Sequence, residues 1–93
     1  MIKSFADKDT ENIWKQQWTN KFPEEVQKIA FRKLIMIHSS TSLNDLMVPP
    51  GNRLEKLKGK QLGQMSVRIN KQYRICFTWY NSNAYEVKIT GYH

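Results

Sequence analysis

The chain has 93 residues, a net charge of +7 and a pI near 9.7, which together predict one small basic domain covering residues 1–93. Its single cysteine excludes an internal disulfide framework, and no apolar run is long enough to span a membrane. Since the N-terminus also lacks a signal-peptide pattern, we expect a cytoplasmic protein.

The positive charge is concentrated in the C-terminal half. Residues 1–50 contain seven Lys/Arg and six Asp/Glu, whereas residues 51–93 contain eight and two. Such an asymmetry indicates a polyanionic partner for the second half, most often a nucleic acid. A ribosomal or an acidic protein partner also fits the charge.

The N-terminal region predicts a short strand followed by a helix. Ile2–Phe5 can form the strand, and Asp7 is a plausible N-cap, with acidic residues after it at the positive end of the helix. Trp14 and Trp18 are four residues apart, which puts them on one helical face. At this spacing we expect both tryptophans in the core.

A second helix is predicted over residues 23–39. Pro23 suits the first helical position, and apolar residues then recur at intervals of three, four and seven. His38 lies in the last turn and is interpreted as structural or solvated. Ser42 and Asp45 form a capping box that predicts one short turn from Leu43 to Met47. Residues 49–51, Pro-Pro-Gly, then force an irregular connection.

The basic half begins with Arg53–Lys58, predicted as a strand that leads into a flexible loop at residues 59–63. Two alternating runs, residues 65–69 and 73–79, then flank a short polar turn centred on Lys71, which predicts a β-hairpin. Matching their apolar faces pairs Val67 with Ile75, and therefore Arg68 with Arg74. Like charges directly opposite each other are destabilising, and an arginine pair suits a phosphate; two solvated arginines are the alternative.

Residues 84–90 predict the last strand, after a turn at residues 81–83. Matching apolar faces pairs Trp79 with Tyr85 and Ile75 with Ile89. One polar patch should then gather Arg68, Arg74, Thr90 and Tyr92, with His93 at its edge. The order β-α-α-β-β-β predicts a small α+β domain in which two N-terminal helices cover one face of an antiparallel sheet.

The patch contains groups that RNA cleavage requires, whereas the chain has too few spaced ligands for a zinc site. In RNA cleavage a base removes the proton of the 2′-hydroxyl, cations stabilise the phosphorane and an acid protonates the leaving oxygen. The acid and base candidates are His93, Glu55 and Tyr92, and the electrostatic stabilisers are Lys58, Arg68 and Arg74. Fraying of the C-terminus is the competing interpretation for the last residues. Cys76 alternates with Arg74, but no histidine accompanies it as a base, so we do not expect a nucleophile.

Several segments together resemble one known family. Residues 49–55 (Pro-Pro-Gly-Asn-Arg-Leu-Glu), 57–59 (Leu-Lys-Gly), 66–79 (Ser-Val-Arg-Ile-Asn-Lys-Gln-Tyr-Arg-Ile-Cys-Phe-Thr-Trp) and 91–93 (Gly-Tyr-His) resemble HigB-type toxins of the RelE superfamily. The opening Met-Ile-Lys-Ser-Phe is also similar, so the resemblance spans essentially the whole chain.

The resemblance implies a RelE-like domain, similar to microbial RNases, that enters the ribosomal A site and cleaves mRNA during translation without a metal or other cofactor. It also implies a HigA-like helix-turn-helix antitoxin whose complex with the toxin binds operator DNA. By motif position, Lys58 would bind the scissile phosphate, Arg74 would stabilise the transition state, Tyr92 would orient the substrate and His93 would be the acid or base. The residues expected to contact RNA are Arg53, Lys56, Lys60, Arg68 and Lys71.

Two positions depart from some members of that family. Glu55 stands where some relatives carry a histidine, and Gly91 stands where some carry an aspartate. Glutamate can still act as a base, but glycine cannot replace a carboxylate. Two other functions therefore stay open from the sequence: a non-catalytic basic module that arrests translation or another nucleic-acid machine by occupancy, and a non-toxic RNA-associated protein.

Overall fold

The computed structural model describes residues 1–58 and 63–92, which form two helices and a four-stranded antiparallel sheet. The predicted loop at 59–63 therefore lies outside the described residues except for Gly63. The helices are α1 (Lys8–Trp14) and α2 (Glu24–Ser39), followed by short 3-10 helices at Leu43–Met47 and Pro50–Asn52. The strands are β1 (Glu55–Lys56), β2 (Gln64–Arg68), β3 (Tyr73–Tyr80) and β4 (Asn83–Gly91).

The strands lie in the order β1-β2-β3-β4, and all three neighbouring pairs are antiparallel. The predicted hairpin register is confirmed: Val67 lies opposite Ile75, and Arg68 lies opposite Arg74. The Asn70 side chain shapes the turn by accepting the backbone N–H groups of Gln72 (2.8 Å) and Tyr73 (2.9 Å). This turn keeps the two arginines in register.

The N-terminal segment extends the sheet along the free edge of β4. It makes isolated parallel bridges from Ile2 to Ala84 and from Phe5 to Val87. The prediction of an extended segment at Ile2–Phe5 is thus confirmed, although only these two bridges form. His38 accepts the Ile2 backbone N–H at 3.2 Å, which agrees with its structural interpretation.

A β-bulge changes the predicted pairing of β3 with β4. Ile75 lies opposite Ile89 as predicted, but Trp79 lies opposite Ala84, so its predicted pairing with Tyr85 is wrong. The register shifts between Cys76 and Thr78, where Glu86 adopts a left-handed conformation with φ of 52°. One extra residue in β4 moves every later pair by one position.

Helix α1 begins as predicted but ends early. The Asp7 side chain accepts the Thr10 backbone N–H at 2.8 Å, which confirms the N-cap. The helix stops at Trp14, and Gln16 adopts a φ of 60°, so the helical spacing of the two tryptophans is lost. Trp14 packs against Phe5, Phe31 and His38, whereas Trp18 is 56% exposed. The prediction that both rings lie in the core is wrong for Trp18.

Helix α2 covers one face of the sheet. Its residues Val26, Ala30, Leu34 and Ile37 are buried in one cluster with the apolar side chains of β2, β3 and β4. Burial of this stripe is the main stabilising contribution of the helix. The opposite sheet face carries the alternating polar residues. Among the described residues, no helix is long and apolar enough to cross a membrane.

The connection from α2 to β1 is held by one buried side chain. The predicted capping box of Ser42 and Asp45 is present at the first 3-10 helix. Asn52 is fully buried and donates to the carbonyl oxygens of Leu46 (3.2 Å) and Val48 (3.3 Å), while its own carbonyl oxygen accepts from Lys33. These bonds fix the irregular chain that leads to the basic strand.

Candidate active site

The polar sheet face carries a row of three side chains across the strands, which we call the arginine row: Arg68, Arg74 and Thr90. Arg68 lies opposite Arg74, and Arg74 lies opposite Thr90. Residues that pair directly across antiparallel strands project from the same face. The structure therefore brings together these three predicted patch residues.

The guanidinium of Arg74 stacks on the ring of Tyr92. Its guanidinium carbon lies 5.1 Å from the centre of the Tyr92 ring, within cation–π range. The Tyr92 backbone N–H donates to the Gln72 carbonyl at 2.9 Å, which ties the ring to the hairpin turn. The Nε of Arg74 is buried, and it is the one buried side-chain nitrogen or oxygen in residues 1–58 and 63–92 without a hydrogen-bond partner. Among the described residues, the contact that orients the guanidinium is therefore its stacking on Tyr92.

A shallow pocket of about 230 Å³ opens beside this row. It is lined by Arg53, Glu55, Arg68, Lys71 and Tyr92, all of which are predicted site residues. Three of these side chains are cationic and one is anionic. The pocket therefore favours an anionic ligand such as a phosphate.

Two of the lining residues lie after the 3-10 helix Pro50–Asn52 and at the start of β1. Arg53 follows the buried Asn52 and adopts a left-handed backbone, with its N–H bonded to the Pro50 carbonyl at 3.0 Å. Glu55 then pairs with Ser66 on β2, which puts its side chain on the polar face. Within the described residues no basic group comes within 4.0 Å of the Glu55 carboxylate. Its oxygens are thus not engaged by a neighbouring protein cation there.

Cys76 lies on the polar face behind the arginine row, as the alternation predicted, but it is only 4% exposed. Burial raises the pKa of its thiol, and the opposing effect of Arg74 and Lys88 is smaller. A protonated, inaccessible thiol is a poor nucleophile. Residues 1–58 and 63–92 also contain no group of three His, Cys, Asp or Glu that could hold a metal ion.

Two other predicted residues, Lys56 and Lys58, lie outside the pocket. Lys56 pairs with the core residue Met65, so it projects from the face opposite to Glu55. Lys58 is exposed beyond the end of β1 and does not line the pocket. Lys60 and His93 lie outside the described residues. The roles given to these four residues stay predictions.

One basic residue of the polar face was missed. Lys88 lies directly opposite Cys76, on the face that carries Arg74. The signal was available in the sequence, because Lys88 precedes Thr90 by two positions and alternation puts both on one face. Lys88 extends the positive surface beyond the arginine row.

Comparison with known proteins agrees with this geometry. Residues 3–93 match the family of HigB-like toxins, described as RelE-like toxins of the type II toxin-antitoxin system HigB. This chain belongs to that family. As a HigB-like toxin of a type II system, it has an antitoxin as its partner.

Individual relatives share much of the sequence. Toxin HigB-1 of Vibrio cholerae is 36% identical over 85 residues, 90% of either chain. A protein of Haemophilus influenzae is 43% identical over 65 residues, 70% of this chain and 64% of its own length. A Proteus vulgaris protein named Endoribonuclease HigB is 32% identical over an alignment of 98 residues that covers both chains fully. The family expected from the sequence motifs is confirmed.

Proposed function

We propose that this HigB-like toxin is a ribosome-dependent endoribonuclease that stops translation by cutting mRNA. The observation that carries the proposal is the Arg68–Arg74 pair with Tyr92 stacked on Arg74. Two cations side by side on a sheet repel each other, and a bound phosphate relieves that repulsion. The name of the Proteus vulgaris relative, Endoribonuclease HigB, supports the same activity.

The reaction that fits these groups is attack of a ribose 2′-hydroxyl on the adjacent phosphate. A new bond forms between the 2′-oxygen and phosphorus, the bond from phosphorus to the 5′-oxygen breaks, and a 2′,3′-cyclic phosphate and a 5′-hydroxyl result. The guanidinium groups of Arg68 and Arg74 stabilise the negative charge that grows on the phosphorane oxygens. Tyr92 holds Arg74 in place and offers a ring on which a base can stack.

Proton transfer is assigned to the remaining groups. The Glu55 carboxylate faces the pocket, so it can accept the proton of the 2′-hydroxyl. His93 is the acid that protonates the leaving 5′-oxygen; this role rests on the family resemblance. Lys58 is assigned to the scissile phosphate on the same ground. All steps use side chains of the protein and the RNA itself, so the proposed mechanism needs no metal.

The shape of the pocket supports the proposed dependence on the ribosome. The pocket is a shallow surface site that encloses little of an RNA strand, so it does little to orient the 2′-oxygen for attack. Correct alignment can contribute several powers of ten to such a rate. We assign that alignment to the ribosomal A site. The toxin is assigned to the cytoplasm, and its antitoxin is expected to be a HigA-like helix-turn-helix protein that binds operator DNA as the complex.

The chemistry can be tested at the cleaved nucleotide. A ribosome-bound mRNA is prepared with a single 2′-deoxy substitution at the mapped cleavage position, and a matched mRNA carries the substitution one nucleotide away. Loss of cleavage in the first mRNA alone, with a 2′,3′-cyclic phosphate on the product of the unmodified mRNA, is the expected result. Equal cleavage of both substituted mRNAs would exclude 2′-hydroxyl attack. Translation arrest without any cleavage would instead favour the non-catalytic binding module.

A further inference from the structure

A second surface feature lies on the helices, away from the arginine row. A groove of about 390 Å³ runs between the end of α1 and the outer side of α2. We call it the helix groove; its lining residues are Ile13, Gln16, Trp18, Lys28, Phe31 and Arg32. Its volume falls in the usual range of ligand pockets, and several of its walls are apolar. Nothing in the proposed cleavage reaction uses it.

Trp18 is presented to solvent by a fixed segment of chain. The buried Gln27 accepts the backbone N–H of Thr19 at 3.1 Å and donates to the Thr19 carbonyl at 2.7 Å. The Thr19 hydroxyl also donates to Asp9 on α1 at 2.9 Å. The residue next to Trp18 is thus tied to both helices, so the backbone that carries the exposed ring is fixed before a partner binds. An exposed tryptophan at a pocket is typical of a binding hot spot.

The helix groove and the arginine row face opposite sides of the molecule. The inner stripe of α2, which includes Ala30 and Leu34, packs on the apolar sheet face, while Arg68 and Arg74 project from the other face. The groove opens on the outer side of the helix layer. A segment that binds in the groove therefore does not cover the sheet face that carries the arginine row.

The rim of the groove is positively charged. Lys28 and Arg32 are one helical turn apart on α2, and both are exposed. Lys28 has an exposed contact with Glu24 at 3.5 Å, and such a pair is easily exchanged for another carboxylate. Ile35, on the same side of α2, is 43% exposed and continues the apolar surface. Apolar floor and basic rim together fit an amphipathic segment with acidic residues.

We propose that the helix groove docks an acidic amphipathic segment of the cognate antitoxin, with an apolar side chain of that segment packed against Trp18. A second copy of the toxin fits poorly, because each copy has a net charge of +7 and brings the same basic rim. An RNA strand engaged at the arginine row would have to cross the whole domain to reach the groove. The family membership provides one protein partner, the antitoxin, that must bind this toxin. The inference rests on that membership and not on the cleavage activity.

The test measures binding of the purified cognate antitoxin, identified as the protein that restores growth when produced together with the toxin. Trp18→Ala and Arg32→Glu are compared with Lys3→Glu, an exposed matched charge reversal near the edge of β4. Each groove variant should raise the Kd at least about tenfold, and Trp18→Phe should recover most of the loss. Lys3→Glu should stay within about twofold. Since salt screens ion pairs, raising the salt concentration should weaken antitoxin binding by the wild type more than binding by Arg32→Glu.

Cleavage provides the second measurement. Both groove variants should cut ribosome-bound mRNA at the wild-type rate, while the antitoxin no longer protects cells that produce them. Unchanged antitoxin affinity in both variants would overturn the proposal, and so would lost cleavage with intact antitoxin binding, which would make the groove a ribosome or RNA contact. If the toxin cuts no RNA at all, the proposed function fails while the binding comparison still decides this inference. Because both side chains are exposed, melting temperatures should confirm that the variants fold.

Discussion

Replacement of Arg74 by glutamine should lower activity strongly while changing stability little. Arg74 faces Arg68 directly across the hairpin, and its buried Nε has no partner among the described residues. A residue kept for stability would not be expected in such an environment. Such an environment is expected for a residue that binds a phosphate, because the phosphate supplies both the missing hydrogen-bond acceptor and the missing negative charge.

The size of both effects can be estimated. Removing one preorganised donor from a site of developing negative charge costs about 10²- to 10³-fold in rate. For stability, removal of the like-charge pair contributes about 0.2–1 kcal/mol, and loss of the contact with Tyr92 costs about 0.5–1 kcal/mol. The unpartnered Nε is removed at the same time. These contributions largely cancel, so we expect the unfolding free energy of Arg74→Gln to stay within about 1 kcal/mol of the wild-type value.

The assay combines single-turnover cleavage of ribosome-bound mRNA with urea unfolding. Lys8→Gln is the control, because it removes one exposed charge on α1 and lowers the net charge equally. Lys8→Gln should change neither the cleavage rate nor the unfolding free energy appreciably. Repulsion between the arginines is screened by salt, so any stability gain of Arg74→Gln should shrink near 1 M NaCl. Wild-type cleavage by Arg74→Gln would show that Arg74 does not stabilise the transition state, and a stability loss above about 2 kcal/mol would show that it is kept for stability.

Three further predictions concern buried or capped groups. Asn52→Ala removes the donor to Leu46 and Val48, and since a buried unpaired carbonyl costs about 1–3 kcal/mol, urea unfolding should show a loss of roughly 2–4 kcal/mol. Cys76 should react with a thiol reagent far more slowly in the native than in the urea-unfolded protein. Because burial raises its folded pKa, stability should fall as the pH rises above the ordinary thiol pKa, and Cys76→Ala should lack this fall. Two backbone N–H groups lower the pKa of Asp45, so its contribution is present at neutral pH and lost as the pH falls through the carboxyl range. An acid titration of Asp45→Asn should lack that part of the transition.

Local patterns predicted the parts of the site that depend on one hairpin. Alternation and a short polar turn were sufficient to pair Arg68 with Arg74, because any slip by one residue would have turned the apolar side chains to solvent. The same logic failed between Trp79 and Tyr85. Nothing in the sequence marks Glu86 as the left-handed residue of a bulge, since glutamate rarely adopts that conformation.

Features that depend on distant residues could not be predicted. The spacing of Trp14 and Trp18 predicted one helical face, but no glycine or proline signals that α1 ends between them. The chain beside Trp18 and the chain before Arg53 are held by Gln27 and Asn52, polar residues that become buried because they satisfy backbone groups of irregular segments. Such contacts have no periodicity in the sequence.

We propose that the arginine row cuts mRNA only on the ribosome. The most direct test maps mRNA 5′ ends after purified toxin is added to a translation reaction, with the same mRNA lacking ribosomes as the comparison. We expect new 5′-hydroxyl ends in register with codons in the presence of ribosomes, and none without them. Efficient cutting of naked mRNA would contradict the dependence on the ribosome, and arrest without new ends would contradict the cleavage itself.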